Sequence, residues 1–236
     1  MAALLSAPAL YARPFADIET GLVFSGYNDV RIPGDTGTKL SLSETLDAER
    51  TPFIRARFGY TFLDRHTVSA LVAPLRIHSS GTIDRDTVFM DKTFTAGNEL
   101  SGRFRFDSYR LSYRYDFSRN DALVIGAGLT GKIRDASIRL DDGVQSAEKS
   151  NTGFVPLVNF RLLWNFHRSL GFLFEGDALA AKQGRAEDLL AALVYRLGPG
   201  TFIKAGYRLL EGGADNDEVY TFSMFHYAVA GFVTVF

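Results

Sequence analysis

The chain has 236 residues, a formal net charge of -1 and a pI near 6.4, which excludes the overall basic footprint that a nucleic-acid binder carries. It contains no cysteine, so disulfides, a thiolate zinc site and a thiol nucleophile are excluded as well. Twenty Phe, ten Tyr and 22 Gly against seven Pro favour pleated strands joined by tight turns over helices.

In chain order, residues 1–12 resemble the apolar core and small-residue cleavage region of a secretory signal, with cutting expected after Ala9 or Ala12. The basic stretch that normally opens such a signal is missing, so a truncated signal peptide over 1–12 and one domain over 13–236 are expected. From Arg13 onward, segments with an apolar residue at every second position alternate with polar connectors. The expected strands are Asp17 to Ile32, Phe53 to Leu63, Thr67 to Ser80, Arg103 to Phe117 and Ala122 to Leu140. They continue as Gly153 to Phe166, Leu170 to Ala181, Glu187 to Leu197, Thr201 to Glu211 and Glu218 to Phe236. Arg185 to Leu197 is also composed of good helix formers, so an amphipathic helix is the alternative there, and a short helix is possible over Ser43 to Arg50.

The connectors themselves alternate. Short ones fall at Asp64 to His66, Arg119 to Asp121, His167 to Ser169 and Gly198 to Gly200. Long ones run from Pro33 to about Glu49, Ile83 to Gly102, Asp141 to Asn151, Lys182 to Ala186 and Gly212 to Asp217. No stretch approaches the roughly 18 unbroken apolar residues of a membrane helix, so a membrane-spanning chain of this kind must be a closed barrel.

The period-two split is plainest where Tyr109, Leu111, Tyr113, Tyr115 and Phe117 alternate with Ser108, Arg110, Ser112, Arg114 and Asp116. The last strand ends on Phe236, with Phe232, Ala230 and Ala228 on the same face and Thr234 interrupting. With the turn and loop alternation, this ending resembles the small Gram-negative outer-membrane β-barrel proteins over nearly the whole chain. The resemblance implies an all-β, up-and-down antiparallel transmembrane barrel of about ten strands in the cell outer membrane, crossing it many times. It implies lipid and lipopolysaccharide as surroundings, and the barrel assembly machinery as a partner recognised through Phe236. Short turns would face the periplasm and long loops the exterior.

With the apolar face outward, the charged residues fall in the lumen. The expected cluster is Arg55, Arg57, Arg76, Arg110, Arg114, Lys132, Arg134, Arg161, Glu175 and Asp177, and Glu19, Asp29, Arg31, His78, Asp116, Asp188, Arg196, Lys204 and Arg208 are placed in the lumen with them. Such a set either closes the bore as a salt-bridged plug or forms a narrow, porin-like path preferring small anions, since rings of Arg and Lys select anions. A second candidate is a rim site built from His78 and His226 with Asp215 and Asp217, which would make the chain an outer-membrane protease or lipid-modifying enzyme. No catalytic motif accompanies those residues, and no metal or cofactor is expected. A soluble lipocalin-like ligand-binding barrel is the remaining alternative, distinguished by an apolar interior and charged exterior.

Overall fold

The computed structural model describes residues 13–181 and 184–236, so the expected signal segment 1–12 lies outside the described residues. Among the described residues there are fifteen strands: β1 (Arg13–Arg31), β2 (Leu40–Ser41), β3 (Asp47–Ala48), β4 (Thr51–Phe62), β5 (His66–Ala73), β6 (Arg76–Thr82), β7 (Thr87–Phe89) and β8 (Lys92–Phe94). They continue with β9 (Glu99–Arg119), β10 (Leu123–Asp141), β11 (Ser146–Trp164), β12 (Leu170–Ala181), β13 (Gly184–Gly198), β14 (Thr201–Asp215) and β15 (Tyr220–Val235).

Each long strand pairs antiparallel with its sequence neighbour, and β15 pairs back to β1 from Phe15↔Val235 to Arg31↔Tyr220, so the sheet closes on itself. The ring has ten positions, with β5 and β6 forming one of them. The break between β5 and β6 falls at Pro74, which has no N–H to give to a ladder. Closure removes the sheet edges that an open strand array would expose. Where β1 passes β15, Gly21 takes φ of 142°, and a Cβ there would stand 2.0 Å from the Ala228 carbonyl oxygen. A residue without a side chain is required at that approach.

All ten expected strands are present, and Arg185 to Leu197 is a strand, as is the segment around Asp47 where a helix was the alternative. The strand periodicity of Leu189, Ala191, Leu193, Tyr195 and Leu197 prevails over helix propensity because both neighbours, β12 and β14, pair with it. Two of the expected long connectors are short. Strands run on to tight tips at Asp142 to Gln145 and Asn216 to Val219, where Asp142 and Asn216 accept N–H groups of the turn.

The outer wall is apolar: Leu111, Leu129, Phe154, Leu193, Ile54 and Phe58 all stand exposed on it. That arrangement is the reverse of a lipocalin-like soluble barrel. At the end carrying the short turns, the wall is rimmed by Tyr60, Tyr113, Tyr115, Phe117, Trp164, Phe166 and Tyr195. At the opposite, loop end, charges face outward in pairs, including Arg76 with Asp107, Arg105 with Asp135, Arg139 with Asp141 and Arg185 with Glu211.

The interior also changes along the axis. Towards the loop end it holds an apolar core in which Ile77, Leu100, Phe104, Leu140 and Phe225 from the wall meet Leu40, Leu42 and Leu46 from the first long loop. Ile83, Phe89 and Phe94 from the second long loop join them, so both loops fold onto the barrel instead of extending away from it. The β7–β8 hairpin is fixed there by Met90 N–H donating to the Ile32 carbonyl (2.8 Å) and Thr38 N–H to the Val88 carbonyl (2.9 Å).

Candidate functional site

Nearer the turn end, the interior is a continuous ion-pair network. Its hub is Asp188 on β13, whose carboxylate accepts from Arg55 Nη2 at 2.8 Å and Arg110 Nη2 at 2.6 Å, and also from Arg208 Nη1. Arg208 donates Nη2 to both oxygens of Glu19 at 2.8 Å. Arg110 reaches Asp177 at 2.7 Å with its other nitrogen, and Arg57 reaches Glu175 at 2.7 Å. Arg57 on β4 and Glu175 on β12 stand five positions apart in either direction round the ring, so this bond spans the bore.

The carboxylates are supported further. Asp177 accepts from Thr130 at 2.6 Å and Asn159 at 2.8 Å, and Asp116 accepts from Arg114 at 2.9 Å and Arg119 at 3.1 Å. Asp17, Glu19 and Glu175 come close enough to present oxygens to a single cation, and the Lys204 ammonium sits against two of them, 2.8 Å from Asp17 and 2.7 Å from Glu19. A protein cation thus occupies the position that a metal ion would need.

Buried ions are tolerable only when paired and hydrogen-bonded, which explains why the sequence keeps acids and bases on facing inward positions. The small cavity beside the network is lined by Arg57, Thr67, Ser69, Arg114, Asn159 and Asp177, and its volume of about 10 Å³ has room for about one water molecule. Such a network ties strands on opposite sides of the ring to one another across the bore.

Of the sequence-derived cluster, Arg55, Arg57, Arg110, Arg161, Glu175 and Asp177 are brought together in this network, while Arg114 faces the same interior in a separate pair with Asp116. Lys132 and Arg134 also face inward but have no carboxylate partner among the described residues. Lys132 lies over the Phe106 ring, 4.5 Å from its centroid, and Arg134 donates to Asn151. Arg76 does not belong to the lumen. Ile77 and Ser79 point inward on β6, so Arg76 and His78 face out, and Arg76 holds Asp107 on the outer wall. Alternation continues across Pro74 from Val72, and above the apolar band a charge is free to face outward.

The proposed rim site is not assembled. His226 faces outward on β15 and bonds the Tyr207 hydroxyl, while the Asp215 pairing partner Tyr220 lies six residues along the strand, roughly 20 Å away. His78 faces outward on β6, and Asp215 and Asp217 are exposed at the tip of the β14–β15 hairpin. Sequence reasoning missed Asp17, although its parity with Glu19 marks it as inward. It also missed the loop residues Leu40, Leu42, Leu46, Phe89 and Phe94, which carry no periodic signal.

Solved structures resemble this architecture. The outer membrane protease OmpT from Escherichia coli superposes with a TM-score of 0.62 at 10% identity, covering 95% of this chain and 97% of that one. The chain has the fold of the outer-membrane β-barrels. The transport unit of the autotransporter AIDA-I from Escherichia coli matches at 0.46 and 8% identity, covering 100% of this barrel and 93% of that chain. Ail, the attachment invasion locus protein of Yersinia pestis, matches at 0.41 and 13% identity, covering 93% of this barrel and 98% of that chain. No protein-family model and no curated protein matches the sequence.

Proposed function

We propose that this chain is an integral, multi-pass barrel of the bacterial outer membrane whose bore is closed, and that its role is structural. Its turn end faces the periplasm, its capped end faces outward, and Phe236 serves the assembly machinery. The observation carrying the closed reading is the ion-pair network joining opposite walls through Arg57–Glu175 and Arg55–Asp188–Arg110, overlaid by the apolar cap. The apolar outer wall and the fold support the membrane assignment.

The alternative, a narrow anion-preferring path, draws on the surplus of positive charge at Lys132 and Arg134. Planar-bilayer recording separates the two. The wild-type barrel is expected to conduct negligibly. A steady anion-selective conductance would establish the path instead, and a large cation-selective one would contradict both readings.

A further inference from the structure

The ring of strands is not hydrogen-bonded over its full height. Strands β11 and β12 pair from Trp164↔Phe172 only as far as Val158↔Ala178. Beyond that point β11 continues to Ser146 paired with β10 alone, and β12 continues to Ala181 paired with β13 alone. A seam therefore opens between them on the loop side. It begins within the apolar band, because Leu129 and Ile133 pair with Val158 and Phe154 and all four face outward and are exposed. Strand backbone without partners is tolerated at membrane depth only where it meets protein, water or a polar ligand.

Exposure rises along the seam. Leu157 and Asp177, just below it, are buried, whereas the inward positions Val155, Gly153 and Leu179 above are partly exposed. Behind the seam stand Lys132 and Arg134, in register with Val155 and Gly153. Among the described residues, Lys132, 2% exposed, has no carboxylate partner, and Arg134, whose Nη2 donates to Asn151, has a buried Nε with no hydrogen-bond partner. A buried cation lacking its counter-ion is strongly unfavourable, so the pair is complementary to an anion that the described residues do not supply.

We propose that the seam is a lateral binding groove for an anionic amphiphile, a fatty-acid carboxylate drawn from the surrounding leaflet. The carboxylate pairs with Arg134 and Lys132, and the alkyl chain leaves between the two strand edges past Val155 and Leu179 into lipid. One apolar strip between two edges suits one chain, and two adjacent cations suit one carboxylate. The proposal rests on the membrane reading above.

The test uses the full chain folded in dodecyl maltoside, a neutral detergent, with 11-(dansylamino)undecanoic acid and its methyl ester as probes. Failure to reach a folded, heat-shifted form in that detergent would count against the membrane reading before any probe is added. For the folded protein, saturable dansyl enhancement by the acid is expected, with the ester binding at least tenfold more weakly. Arg134→Gln combined with Lys132→Met should weaken the acid at least tenfold while leaving the ester unchanged. If the double variant fails to fold, the comparison of acid with ester on the wild type still decides the matter. Equal binding of acid and ester, or wild-type affinity in the folded double variant, would overturn the groove. Displacement of the probe tenfold better by dodecyl phosphate than by dodecanoate would overturn the carboxylate assignment.

Discussion

Single residues in this barrel divide by what surrounds their charge. Asp188 receives three guanidinium groups in a site that excludes solvent, so Asp188→Asn leaves Arg55, Arg110 and Arg208 facing a neutral amide. Removing one partner of a buried ion network costs about 3–5 kcal/mol, and urea unfolding in lipid vesicles should record a loss of that size. The outer wall poses the opposite problem. Leu129 is 69% exposed in the apolar band, and Leu129→Arg places a charge against hydrocarbon at a cost of about 2–4 kcal/mol near the midplane. Val144, 93% exposed at a hairpin tip, should accept Arg with no measurable change in the same unfolding experiment. An equal loss at both positions would mean that the exposed apolar band does not face lipid. Residue type alone misled at Arg76 and His78, where strand parity already pointed outward. Charge marks the lumen only within the apolar band, because beyond it an outward side chain meets water or headgroups.

At the scale of the strands, most of the architecture was legible in the sequence because a barrel strand has two chemically different faces and a period of two. The stretch Ser108 to Phe117 fixes its own orientation by that split, and Leu170 to Ala181 has the expected boundaries. The two long loops were not legible in the same way. Leu40, Leu42 and Leu46, or Phe89 and Phe94, become buried through contacts with distant strands, and no local repeat announces it. The seam between β11 and β12 was equally hidden, because pairing depends on two strands ending at different heights. It has a measurable consequence. Amides of Asn151 to Val155 whose N–H points toward β12 should exchange with solvent deuterium far faster than the amides of Leu129 to Ile133, which lie between two paired neighbours. Uniform protection along β11 would mean that the wall closes there in the membrane.

Taken whole, the bore is crossed by two layers of different physics. The cap buries apolar side chains of the two long loops against the upper wall, whereas the lower network joins opposite walls with ion pairs carried by the strands alone. Loss of one layer should therefore leave the bore obstructed by the other. Replacing residues 84–97 by a short Gly-Ser linker removes Phe89 and Phe94 from the cap, yet the Arg57–Glu175 and Arg110–Asp188 pairs remain. That variant should stay silent in planar-bilayer recordings. Arg110→Glu together with Arg114→Glu should break the network, since a carboxylate at 110 replaces the counter-ion of Asp177 and Asp188 and one at 114 replaces that of Asp116. With the cap intact, the charge reversal is expected to produce only brief openings, because apolar packing still covers the loop end. The loop replacement and the charge reversal combined should give sustained conductance. If the loop replacement alone conducts as much as the combination, the ion-pair layer does not obstruct the bore, and the cap is the sole barrier.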